Sequence, residues 1–305
     1  MKRSTAKPIF FFLSFLIASP SWAEPPLTWS ERSMRYLSAR ALAQASPKPP
    51  RAAASLHPMK RKRAMFLIVA LFVVPLAISV VTHTPAAATW QTASREPTGL
   101  APDPAISREP VVQVYAARAF GWRGAFSVHS WIVFKREGAS AYTRYDVVFW
   151  GGPPYVRQDF AAPDGQWFGS RPDLLVDRRG EGVEALIDQV EAAVMSYPYT
   201  DTYRTWPGPN SNTFIAHIGR SVPGLRLDLP ANAIGKDYVP ISSAIGRAPS
   251  GTGIQASLFG LLGIIVAPEE GLEVNVLGLS LGVDVAEPAL RLPGLGRVGP
   301  QASPH

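Results

Sequence analysis

Two residues in this chain could carry acyl-transfer chemistry without a thiol or a metal: His129, set in an apolar run, and Ser211, which opens an amphipathic stretch. A serine hydroxyl becomes nucleophilic at neutral pH only beside an organised base. His129 is the base that the strand-like region offers, and Tyr145 or Asp146 on the following apolar run would orient its ring. Ser211 at a helix N-terminus would meet free backbone N–H groups able to hold an oxyanion. Asn210 and Asn212 would add side-chain donors there, and Trp131 and Trp206 would line the cleft. The same residues also have an ordinary structural meaning, since Asn, Ser and Thr cap helices and a histidine among apolar neighbours is often a satisfied core residue. From the sequence, both readings stand.

The elements that would position these groups can be read from periodicity. Val111–Ala117 is strand-like, and Phe126–Phe134 follows as a β-branched and aromatic run with Ser127, His129 and Trp131 on one face. After a turn at Gly138, Tyr142–Trp150 reads as an antiparallel partner, ended by Gly151-Gly152-Pro153-Pro154, and Tyr155–Phe160 as a third strand. The spacing of Val183, Leu186, Ile187, Val190 and Val194 predicts a helix over 182–197, closed by Pro198. A second helix is predicted over 211–220 with Asn210 as its N-cap. Ile254–Val266 and Leu272–Val285 flank Pro268-Glu269-Glu270-Gly271 and read as one long hairpin. The expected fold class is α+β: one antiparallel sheet with two main helices, in a single domain over 111–299.

Smaller motifs point to structure. Trp206-Pro207-Gly208-Pro209 reads as a rigid turn at a cleft rim, and Lys236-Asp237 as a local ion pair. Ser250-Gly251-Thr252-Gly253 has neither the Walker nor the dinucleotide spacing, so no nucleotide cofactor is expected.

Composition narrows the function classes. The formal charge of +7 sits in the leader: residues 1–90 hold 12 Lys or Arg against 2 acids, and residues 91–305 hold 18 against 21. A domain at −3 offers no electrostatic footprint for nucleic acid, so none is expected as a partner. With no cysteine, and only His129 and His217 inside the domain, no metal site is expected either. Ile9–Ala18 between Lys2, Arg3, Lys7 and Ser21-Trp22-Ala23 has the three regions of a signal peptide. A second hydrophobic segment, residues 64–81, follows Lys60-Arg61-Lys62-Arg63 and is long enough to span a bilayer. The two conflict in topology. The expectation is that Met59 is the start, with residues 1–58 a non-folding upstream extension and residues 59–84 an anchor with its basic flank inside. Ala86-Ala87-Ala88 offers a cleavage site should that segment be removed. Residues 85–110 then read as a linker and 300–305 as a tail. The domain is thus expected on the periplasmic side of the cytoplasmic membrane, with its oligomeric state open.

Several blocks resemble a bacterial family known as domain of unknown function 3750. They are Ala117-Arg118 with Gly121-Trp122-Arg123-Gly124, His129-Ser130-Trp131-Ile132, and Trp206 through Phe214. Further blocks are Ala233 through Tyr238, Ser250-Gly251-Thr252-Gly253 with Gln255, and Gly271 through Gly278, so that the likeness spans roughly residues 111–299. More distantly, a strand histidine with a nearby Trp, followed by Asn210-Ser211-Asn212 opening a helix, is similar to circularly permuted papain-like proteins of the NlpC/P60-like and lecithin retinol acyltransferase-like groups. Their motif carries Cys where this chain has Ser211. That resemblance implies a permuted papain-like architecture and a Ser/His hydrolase or transferase acting on an amide or acyl group of an envelope substrate. The alternative it implies is a non-catalytic relative that binds an envelope peptide or lipid.

Overall fold

The computed structural model describes residues 28–44, 58–85 and 88–300. The signal-like run Ile9–Ala18, the Ser21-Trp22-Ala23 site, Ala86-Ala87 and residues 301–305 lie outside them. Met1–His57 and Pro58–His305 separate as two compact units. In the first, helix α1 (Trp29–Gln44) occupies part of the stretch expected not to fold. Its start is capped locally: the Thr28 backbone N–H and hydroxyl both donate to the Glu31 carboxylate.

The second unit begins with α2 (Pro58–Thr82). Arg61–Thr82 contains an 18-residue window with a mean hydropathy of 2.9, mostly exposed, and is long and apolar enough to cross a membrane. Its last turns pack on the domain. Ser79 donates to the Ala125 carbonyl at 2.6 Å, and the His83 ring lies 3.1 Å from the Gly121 carbonyl oxygen.

Five antiparallel strands form the first sheet: β1 (Val111–Arg118), β2 (Val128–Lys135), β3 (Thr143–Val147), β4 (Val156–Gln158) and β5 (Asp173–Arg179), in the order β4-β3-β2-β1-β5. Helices α3 (Val183–Met195) and α4 (Ser211–Ser221) cover one face, where Val112, Val114, Ile132 and Phe134 meet Ile187, Val190, Phe214 and Ile218. The opposite face carries Tyr115, Trp131 and Val133 against Trp167, Phe168 and Ala93. With both faces covered, β1 and β2 are buried almost without interruption, which explains why they read as continuous apolar runs. Residues expected to form a linker help cover that second face: the N–H groups of Thr98, Leu100 and Ala101 donate to the Asp164 carboxylate. Strand β5 is an element the periodicity reading missed. Its sequence, Asp173-Leu174-Leu175-Val176-Asp177-Arg178-Arg179, is only partly apolar because it forms an edge.

A second sheet replaces the predicted long hairpin. It is a seven-stranded meander: β6 (Ile245–Gly246), β7 (Ile254–Leu258), β8 (Leu262–Ala267), β9 (Gly271–Val276), β10 (Leu279–Asp284), β11 (Ala289–Leu292) and β12 (Gly296–Val298). Each arm expected to be one strand is itself a hairpin, reversed at Phe259-Gly260 and at Leu277-Gly278. All four of these residues take positive φ, the geometry of a tight hairpin turn. The fold is thus α+β with two antiparallel sheets.

Candidate functional site

The Asn210-Ser211-Asn212-Thr213 motif is built as a helix cap and a staple. The Asn210 side chain accepts from the Asn212 and Thr213 N–H groups, and the Thr213 hydroxyl accepts from the Asn210 N–H. Asn210 and Asn212 both donate to the Ile234 carbonyl, at 3.0 and 2.9 Å. Asn212 also donates to Val128 O at 3.0 Å and accepts from the Ser130 hydroxyl at 2.8 Å. The two asparagines therefore tie α4 to β2 and to the loop before Gly235, and their polar groups are committed to that task.

His129 belongs to a different cluster. Its Nε2 lies 2.9 Å from Asp146 Oδ1, and Arg144 grips the same carboxylate through Nε at 2.6 Å and Nη2 at 3.0 Å. The ring stacks on Trp167 at 3.5 Å between centroids, while Arg144 lies over Trp131, 4.3 Å from its centroid. Burial lowers the His129 pKa against the opposing pull of Asp146, so the ring is neutral and donates Nε2–H. Burial alone would raise Asp146, but Arg144 and His129 outweigh it and hold the carboxyl below its usual range.

Strand geometry separates the two clusters. His129 pairs with Ala117 and Ser130 with Ala116, so these neighbours project from opposite faces of the sheet. Ser130 reaches Asn212 on the α4 side; His129 turns to the Trp131–Trp167 side. The structure does not bring His129 to Ser211: the sheet stands between them, and among the described residues His129 hydrogen-bonds to Asp146 alone. Of the two groups offered to orient the ring, Asp146 does so. Tyr145 is corrected: it pairs with Ile132 on the helix side, sets its ring at a tilt to Phe134 and donates its hydroxyl to Gln158. Trp131 is fully buried with its indole N–H on Pro163 O at 2.8 Å, so it supports the Arg144 cluster and lines no cleft. Trp206 is half-exposed in its turn and donates to Leu277 O at 2.9 Å. It braces the second sheet and lies away from His129.

Lys236 and Asp237 do pair, at 2.9 Å, but within a larger buried lattice. Lys236 also meets Glu273 at 2.6 Å, and Arg291 bridges Glu273 to Asp228. Ser250 and Thr252 give their donors to the Glu270 and Glu269 carboxylates, which fills the place an anion would take. Among the described residues no cluster of His, Asp and Glu could hold a metal.

One surface feature lacks such an internal role. Phe149 and Trp150 follow β3 and Phe160 follows β4, and they stand 61%, 38% and 39% exposed. Trp150 stacks on Trp167 at 5.8 Å, and Phe160 meets both rings edge-on at 6.3 Å. Gly151 and Gly152, at φ of 84° and 72°, make the reversal that presents this lip. Arg157 locks it by donating to the carbonyls of Trp150, Gly152 and Pro154. The sequence signal for it is the pair Phe149-Trp150 before Gly151-Gly152-Pro153-Pro154, which by pattern alone reads as a strand end.

Residues 109–238 match the family described as "Protein of unknown function (DUF3750)", which supports the family resemblance over the first sheet, α3 and α4. The match ends at Tyr238, so the second sheet falls outside it. No curated protein and no solved structure matches the chain.

Proposed function

We propose that the chain is a membrane-anchored, extracytoplasmic binding module that takes an extended, apolar stretch of an envelope peptide. The carrying observation is the rigid aromatic lip, Phe149, Trp150 and Phe160, exposed beside the edge strand β4 and seated on the Trp167–His129 stack. An edge strand offers backbone pairing to an extended ligand, and rings alongside it supply pockets for alternate side chains. Beneath the lip, His129, Asp146 and Arg144 act as a buried brace. The separation of Ser211 from His129 argues against serine hydrolysis and favours the non-catalytic alternative. The apolar length of residues 64–81 supports the anchor, and the basic run at 60–63 before it supports a cytoplasmic start.

Panning phage-displayed random peptides against the full chain in detergent micelles tests this reading. Enrichment of sequences with alternating apolar residues is expected, with capture lost in Trp150→Ala and Phe160→Ala and kept in Ser211→Ala. Equal recovery on wild type and Trp150→Ala would reject the lip as the site.

A further inference from the structure

The second sheet is built inside out. Its inward face is polar: Gln255, Glu273, Asn275, Ser280 and Arg291 are buried against the Lys236–Asp237 lattice. Its outward face is aliphatic. Register pairing joins Ile254, Val266, Leu272, Val283, Leu290 and Val298 into one unbroken row across six strands. Each of the six is between 41 and 64% exposed. Two parallel rows run through Ile264–Val274 and Leu262–Val276, also exposed. Rows this long make a contiguous apolar patch, and extended patches of this kind mark contact surfaces.

The position of α2 says what lies against it. Within Arg61–Thr82 the uncharged apolar run, residues 64–81, is about 27 Å of helix, close to a hydrocarbon core of about 30 Å. The same helix packs on this sheet. Strands β10 and β11 contact α2, and a Cβ at Gly294, in the turn between β11 and β12, would meet Ser79 Cβ at 2.9 Å and Leu76 Cδ1 at 3.0 Å. Leu76 sits only about 9 Å below the end of the helix at Thr82. The turn it touches therefore lies level with the outer third of the span, and the sheet is held at the outer side of the bilayer by its own anchor.

We infer that the aliphatic face of β7–β12 rests in the outer interfacial layer of the bilayer that α2 spans, a second membrane contact of the domain. The face suits that occupant, because its three rows contain no charged residue to desolvate. Partner protein would have to be recruited to cover such a surface, whereas lipid is already present at the edge that α2 touches. This inference rests on the anchor reading in the preceding section and is independent of the peptide lip.

The chain has no cysteine, so single spin labels can be placed on the full-length protein reconstituted into vesicles of phosphatidylethanolamine and phosphatidylglycerol. Ile264→Cys and Val274→Cys report the face, Val69→Cys the anchor, and Gln189→Cys on α3 the aqueous side. Collision with oxygen is expected to exceed collision with a water-soluble nickel chelate several-fold at 264, 274 and 69, and the order to reverse at 189. Labels at 264 and 274 behaving like the one at 189, with 69 in lipid, would overturn the face and leave the anchor standing. Labels shielded from both reagents and broadened by each other would overturn it in favour of a second copy. Position 69 in water would reject the anchor and, with it, a face resting in a bilayer that α2 spans.

Discussion

The two sheets are both antiparallel, and they spend their apolar residues in opposite ways. The first buries them on both faces, under α3 and α4 on one side and the 88–101 segment with Trp167 on the other. Its buried ion pairs form one compact unit, His129–Asp146–Arg144, while the buried Lys135 and Asp164 are held by backbone groups. The second buries its charges, Lys236, Asp237, Glu273 and Arg291, and shows its valines, leucines and isoleucines to the outside. Alternation along a strand tells which side is apolar; it does not tell which side is buried. A sheet held against another apolar phase can afford the reverse of the usual arrangement, provided that every buried charge has a partner.

The sharpest break of that comparison is Lys236→Met, which leaves Asp237 buried with no cation and Glu273 with Arg291 alone. Urea unfolding of the detergent-solubilised chain is expected to show a loss of about 3 to 5 kcal/mol, the usual result of removing one member of a buried pair. In the first sheet, Asp146→Asn leaves Arg144 buried with no carboxylate and is expected to lower stability by about 3 kcal/mol by the same measurement. The pH dependence of that cluster has one sign. Asp146 is depressed, so its stabilisation is full above the unfolded carboxyl value near 4 and is lost as pH falls through its lower folded value. His129 is also depressed, so acid costs the folded state as the unfolded imidazole takes protons below about 6.5. Both make the wild type weaker on acidification.

Glu270, at the second sheet, runs the other way. Burial pushes its carboxyl up to about 7, and one of its oxygens has no hydrogen-bond partner. Its favourable protonated form is full below about 4.5 and lost as pH rises through 7, so Glu270→Gln is expected to gain on the order of 2 kcal/mol over wild type between pH 4.5 and 8. Denaturation midpoints at the two pH values check it, and a constant difference would refute it. The smallest effect belongs to Ser211 and Tyr145. Incubation with a serine-directed fluorophosphonate is expected to leave Ser211 unmodified, and Tyr145→Phe to shift stability by less than about 1 kcal/mol, since its partner Gln158 is exposed.

Much of the first sheet was legible. The apolar spacing in Val183–Val194 located α3, and Asn210 before an apolar stripe located α4 and its cap, because both signals are local. The alternation placing His129 with Trp131 was legible too. What could not be read was the face that α4 crosses: the Ser130–Asn212 bond spans 82 residues of sequence and decides whether Ser211 can meet His129. For the same reason Asp146 could not be preferred to Tyr145 until the pairing of Ile132 with Tyr145 fixed the register. In the second sheet, turns were missed where a bulky residue, Phe259 or Leu277, takes positive φ beside glycine, so four strands read as two. The inward side of that sheet was hidden because Glu273 and Arg291 look like solvent-facing residues until Lys236 and Asp228 are brought to them by the fold.

Two neighbours on β9 test the inversion most directly, Glu273→Gln and Val274→Ser, compared by urea unfolding of the full chain in detergent. The account expects Glu273→Gln to cost about 3 kcal/mol, by exposing Lys236 and Arg291 to a neutral partner, and Val274→Ser to stay within about 0.5 kcal/mol of wild type. A large loss at Val274 with a small one at Glu273 would mean that the aliphatic face is the core and the charged face the surface, and would contradict it.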